Sequence, residues 1–190
     1  MVAQQSIPKY QTAIVAEGPG KLAIKHNVPV PTLAPDMALV RTTAVAINPA
    51  DAKMLDYSAA AGAIHGYDFA GYIVALGADA PSHLAVGDRV AGIAHGMNKL
   101  RPEIGAFAEY VGACADLLLK MPDSMSFEDA ASLGTGVATA VLSLRELQVP
   151  SLLGNLLAAA NDKAVSNDEY VLVAGGATAS GTRAIQLLKL

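Results

Sequence analysis

The segment Gly66–Gly77 reads GYDFAGYIVALG. From Tyr67 to Leu76 it is an apolar run rich in aromatic and β-branched residues. Gly77 closes it, which is the composition of a strand ending in a turn. Runs of the same kind lie on both sides. Upstream, Tyr10–Ala16, Leu22–Val28 and Met37–Ile47 are separated by Gly18-Pro19-Gly20 and by Pro29, Pro31 and Pro35. Downstream, Arg89–Ala94, Ala106–Gly112 and Asp116–Lys120 follow turn signals at Pro81 and at Gly87-Asp88. Many short strands with Gly and Pro between them predict a compact β-barrel or curled sheet rather than alternating strand–helix units. Asp51–Tyr57, after Asn48-Pro49, is the one helical turn expected among these strands.

Past Pro122 the period changes. Ser126 followed by Asp129 resembles a capping box, with Glu128 and Asp129 in the positive first turn of a helix. Apolar residues then recur at helical spacing as far as Leu147, interrupted at Gly134-Thr135-Gly136, and Pro150 stops the run. Ser151–Glu169 reads as an exposed connector. Tyr170–Ala174 is a continuous apolar run with the look of a buried parallel strand. Gly175-Gly176 and a helical pattern over Ala179–Leu190 follow it. Strand, small-residue turn and helix open a nucleotide-binding βαβ unit. The expected organisation is therefore a substrate-binding domain with its connecting helix over 1–150, a connector over 151–169, and the first strand and helix of a nucleotide-binding domain over 170–190.

Composition narrows the function. The 190 residues are 53% hydrophobic and 16% charged, with 13 basic against 17 acidic side chains and a net charge of −4. No stretch concentrates Lys and Arg, so no basic face for nucleic acid is expected. Cys114 is the single cysteine; it excludes an internal disulfide and a four-cysteine zinc lobe, and reads as a small core residue. The first residues, MVAQQSIPKY, lack the basic head and apolar core of a signal peptide. Gly, Pro and polar residues break every apolar run short of the ~18 residues that cross a bilayer. A soluble, cytoplasmic protein without a membrane partner is expected.

Four segments carry a family resemblance: AVAINPADAKM (Ala44–Met54), GYDFAGYIVALG (Gly66–Gly77), VGDRVAG (Val86–Gly92) and VLVAGGATASG (Val171–Gly181). In order and spacing they resemble the medium-chain dehydrogenase/reductase superfamily, in its zinc-free quinone-reductase-like branch. Within it the chain is most similar to the fungal trans-acting enoyl reductases of polyketide biosynthesis. The resemblance implies a mixed α/β fold: a GroES-like curled β-barrel substrate domain, followed by the first βα unit of a truncated Rossmann cofactor domain. It also implies NADPH as cofactor. The position ~20 residues past the glycine turn that would discriminate NAD from NADP falls after Leu190.

Zinc enzymes of the superfamily place a Cys in the first segment and Gly-His-Glu in the second. Asn48 and Gly66-Tyr67-Asp68 stand at those places, and Asn and Tyr are poor zinc donors, so a metal-free site is expected. A substrate carbonyl must then be polarised by hydrogen-bond donors or a cation. Lys53 matches a lysine that follows the Asn-Pro-x-Asp motif in the enoyl reductases, where it contacts cofactor or substrate. Tyr67 offers a phenol near the expected cleft. Both are candidate catalytic residues, against the plainer readings of a solvated helix-face charge and a core aromatic. Asn48, with Asp51, shapes the turn that faces the cofactor; Asp68 organises its neighbours beneath the site. Resemblance gives Thr139 a cofactor contact, against a helix bend with hydroxyls bonded to carbonyls. Gly175, Thr178, Ala179 and Ser180 are the candidate phosphate-binding turn, where Thr178 and Ser180 bring hydroxyls in place of the more usual glycines.

Three activities follow in order. The first is metal-free, NADPH-dependent reduction of an α,β-unsaturated polyketide thioester, held on the carrier of a separate polyketide synthase. The second is a truncated non-redox module that binds a partner or a polyketide, or isomerises or cyclises without cofactor. The third is quinone reduction. An unpaired strand at 170–174 would also be an adhesive edge, from which self-association is expected.

Overall fold

The computed structural model describes residues 6–147 and 170–189. The chain divides into two compact units, Met1–Gly134 and Thr135–Leu190.

The first unit holds seven strands: β1 Tyr10–Gly18, β2 Lys21–Pro29, β3 Met37–Ala46, β4 Asp68–Leu76, β5 Arg89–Ile93, β6 Tyr110–Cys114 and β7 Leu119–Lys120. β1 and β2 form a two-stranded sheet, and the other five form a sheet of order β6-β3-β4-β5-β7. Every pairing is antiparallel. This is the curled, short-stranded architecture that the Gly and Pro punctuation predicts. Along β4 the core residues Phe69 and Ile73 are buried and pack with Val40, Val90 and Val111 from the neighbouring strands, while Ala70 packs with Ala91, Met121 and Ala130.

Two strand boundaries differ from expectation, for reasons of pairing. Residues 106–109 do not join β6. Their N–H groups go instead to loop carbonyls, Ala106 to Gly66 and Phe107 to His65, while Ala108 bridges Ala13 of β1. Only Tyr110–Cys114 lies opposite Met37–Arg41 of β3. Asp116–Lys120 is likewise not one strand. Ala115–Leu117 is a 3₁₀ turn, which leaves Leu119–Lys120 to pair with Ala91 and Val90.

Helix α1, Pro49–Tyr57, follows β3, with Pro at its first position, where a missing N–H costs nothing. α2, Phe127–Ala131, begins at Ser126, whose hydroxyl accepts the Asp129 N–H at 3.1 Å, as the Ser–Asp spacing predicts. The Arg89 guanidinium holds the approach to α2, donating to the carbonyls of Pro122 (3.1 Å) and Asp123 (2.9 Å). The helical run after Pro122 is thus two helices. α3 spans Gly134–Glu146, so the Gly134-Gly136 pair opens a helix rather than interrupting one. Pro150, the connector 151–169 and Leu190 lie outside the described residues.

In the second unit, α4 spans Ala179–Leu187, as the apolar periodicity predicts. The strand expected over Tyr170–Ala174 is not formed: these residues adopt no strand geometry, and Tyr170 and Leu172 are more than 90% exposed. An extended segment becomes a strand only through hydrogen bonds to a neighbour, and no strand among the described residues pairs with this one. The self-association edge inferred from that strand therefore has no ladder of its own here. No helix among the described residues is long and apolar enough to cross a membrane.

Candidate functional site

Strand register brings the first two motifs together. Ala46, the last residue of β3, pairs with Asp68, the first of β4, and Asp68 pairs in turn with Ile93 of β5. Two residues past Ala46 the chain turns into α1 at Asn48, which therefore sits beside Asp68. The Asn48 side-chain amide donates to the Asp68 carboxylate at 2.8 Å, and the Asn48 backbone N–H donates to the Asp51 carboxylate at 2.6 Å. Asp51, His65 and Asp68 are each at most 3% exposed, while Asn48 is half-buried. Two carboxylates thus grip one asparagine from beneath. Sequence reasoning gave Asp51 and Asp68 supporting roles but could not see that they share one residue. Nor could it see that His65 belongs to the same buried group.

Burial is the main cause of every shift in this cluster. It raises the Asp51 carboxyl above the usual aspartate range; the Asn48 N–H and His65 oppose it, and Asp68 adds to it. It lowers the His65 imidazole, with Asp51 pulling the other way. His65 is therefore held neutral in the fold, its ring edge-on to Phe107 with centroids 5.3 Å apart. The Tyr67 phenol is raised by burial and then by Asp51, so at neutral pH it carries its proton. Its ring lies 5.9 Å from that of His95. Lys53 projects from the exposed face of α1.

The donor set does not fit zinc. The Asn48 amide nitrogen faces a carboxylate and the Tyr67 phenol is kept neutral. Cys114 pairs with Met37 at the opposite end of β3, roughly 30 Å of extended chain from Ala46. Among the described residues no three His, Cys, Asp or Glu side chains gather to hold an ion.

The second unit holds the other candidates. Gly175 has φ +77°, the left-handed conformation that favours glycine. A Cβ on Gly181 would stand 2.3 Å from the Gly175 carbonyl, so α4 can pack back on the turn only with glycine there. Thr178 caps α4: its hydroxyl donates to the Gly175 carbonyl (2.8 Å) and accepts the Gly181 N–H (3.1 Å). That hydroxyl, expected to face phosphate, is committed to the turn. Ala179 and Ser180 form the first turn of α4, where unpaired N–H groups and the helix dipole favour an anion. The turn fits a dinucleotide pyrophosphate in these respects. Thr139 lies on the exposed side of α3, its carbonyl accepting the Ser143 hydroxyl at 2.8 Å.

Another concavity, of about 540 Å³, is lined by Ile14, Ile24, Val45, Ile47 and Phe107. Its one carboxylate, Glu109, already takes the Thr12 N–H, so this cleft brings apolar surface rather than chemistry.

Residues 34–123 match the alcohol dehydrogenase GroES-like domain. The solved structures agree: a quinone oxidoreductase from Coxiella burnetii superposes with a TM-score of 0.69 at 29% identity, covering 94% of this chain and 53% of that one. A mycobacterial protein complexed with NADPH superposes with a TM-score of 0.67 at 27% identity, over 93% of this chain and 48% of that one. Among curated relatives, the trans-enoyl reductase caaB of Aspergillus niger is 65% identical over 185 residues, 97% of this chain and 50% of the relative. The chain resembles the fungal trans-enoyl reductases within the medium-chain dehydrogenase/reductase superfamily. It spans about half the length of the curated relatives it matches.

Proposed function

We propose that this GroES-like chain belongs to an NADPH-dependent enoyl reductase acting on an α,β-unsaturated polyketide thioester carried by a separate synthase. The identity of 65% over 185 residues to a trans-enoyl reductase carries this reading. The glycine turn at Gly175 and the capped N-terminus of α4 support the cofactor half of it, as does the NADPH complex of a structural neighbour.

A bound dihydronicotinamide would supply hydride to the β-carbon of the conjugated thioester. Negative charge then moves to the thioester carbonyl oxygen, and the α-carbon takes a proton. Lys53 is the cation that stabilises the oxygen, as a solvent-facing ammonium on α1. Tyr67, protonated at neutral pH, is the donor whose phenol can give a hydrogen bond or a proton. Asn48 lines the cofactor side, and Thr139, Ala179 and Ser180 complete the contacts proposed for the dinucleotide.

Titration of the purified protein with NADPH, followed by cofactor fluorescence, tests the reading. Saturable micromolar binding, tighter than for NADH, is expected. Absence of binding would overturn it. Quinone reduction is a second reading, favoured by the Coxiella quinone oxidoreductase. Steady-state rates with an enoyl thioester and with small quinones separate the two.

A further inference from the structure

We propose that Asp68 is a positioning residue: it fixes which end of the Asn48 amide faces the site, so that Asn48 presents its carbonyl oxygen as a hydrogen-bond acceptor. Asn48 Nδ2 lies 2.8 Å from Asp68 Oδ2. Asp68 is 1% exposed. A carboxylate only accepts, and of the two ends of a primary amide only the NH₂ donates. Turning the amide over would set two acceptors against each other at hydrogen-bond distance in a buried place, at a cost of several-fold to many-fold in population. The orientation therefore follows from chemistry alone.

The main chain of Asn48 is fixed independently, because Asp51 takes its N–H at 2.6 Å. With both ends of the residue held, rotation about the side chain is restricted, and Oδ1 stays on the side away from Asp68. Gly134 leaves the space that the Asp68 carboxylate occupies: a Cβ there would stand 2.6 Å from Oδ1.

A residue held this way selects its ligand. It accepts from an N–H or O–H donor, such as a primary carboxamide. One of its two N–H donors is already spent on Asp68. If the proposed cofactor reading holds, the carboxamide of the nicotinamide ring is a donor of the right class; only this clause rests on that reading.

The orientation is tested by NMR on the ¹⁵N-labelled protein without any ligand. The two geminal protons of the Asn48 side-chain amide should be more widely separated than those of exposed Asn27, with one proton slow to exchange. In Asp68→Asn, whose folding is checked by its backbone spectrum, the separation should collapse toward that of Asn27 or the resonance should double. Equivalent Asn48 protons in the unsubstituted protein would overturn the proposal, as would an unchanged Asn48 pair in Asp68→Asn. A second arm reads binding: Asp68→Asn should weaken NADPH at least five-fold, and Asp68→Glu should restore part of it. If the unsubstituted protein binds no NADPH, the cofactor reading fails while the resonances still decide the orientation.

Discussion

His65 is a residue whose environment changes its ordinary behaviour. It is 3% exposed, and burial lowers its pKa below the usual histidine value, against the pull of Asp51. The unfolded chain therefore takes up the proton more readily than the fold does. The resulting stability is fully present above the unfolded value of about 6.5 and is lost as pH falls from there toward the lower folded value. Asp51 acts in the opposite sense: its raised pKa favours the fold at acid pH, and that contribution fades as pH rises above the unfolded value near 3.8. Between roughly pH 7.5 and 5.5 lies the range in which an unfolded histidine takes up its proton. Thermal melts over this range should show the Tm falling with pH. In His65→Leu, which keeps an apolar body against Phe107, that slope should flatten; an equal slope in both proteins would remove His65 from the account.

Two glycines at the start of α3 make opposite demands on the element. Gly134 abuts the Asp68 carboxylate, where an added Cβ would stand 2.6 Å from Oδ1. Gly136 has room: the corresponding Cβ would make ordinary contacts at 3.5 Å with Arg183 Cγ and 3.9 Å with the Ala179 carbonyl. Alanine is favoured over glycine in a helix by about 1 kcal/mol. Denaturant unfolding should accordingly find Gly136→Ala unchanged or stabilised by about 0.5–1 kcal/mol. Gly134→Ala should be destabilised by about 1–3 kcal/mol, as for other overpacked sites. Equal effects at the two positions would show that the contact with Asp68 does not constrain α3. Read as sequence, the pair was a single anomaly inside one helix. Helical spacing continues across residues 126–147, and nothing in the pattern marks the break between α2 and α3.

At the scale of the molecule, Lys53 and Tyr67, proposed for catalysis, lie in the first unit, and Ala179 and Ser180, proposed for the phosphates, in the second. Lys53→Met in the full-length protein should lower kcat for an enoyl thioester at least ten-fold, a typical loss when charge stabilisation is removed. Because Lys53 is exposed on α1, its melting temperature should not change. Undiminished turnover would return Lys53 to the role of a solvated helix charge. The substrate-domain strands and the Ser126 cap were legible in the sequence because alternation, turn residues and caps are local signals. The strand at 170–174 was misread, since a buried-looking apolar run cannot report whether a neighbour exists to pair with it. The strand expected from Ala106 begins only at Tyr110 for the same reason.

The sequence by itself determined the short-stranded domain, the capped helices and the glycine turn before α4. Each depends on residue type and near-neighbour spacing, which covalent order preserves. Only the tertiary structure decided that Asn48, Asp51, His65 and Asp68 form one buried group. Asn48 and Asp68 stand 20 residues apart in the chain, and the antiparallel register of β3 on β4, with Ala46 opposite Asp68, is what closes that separation to a hydrogen bond.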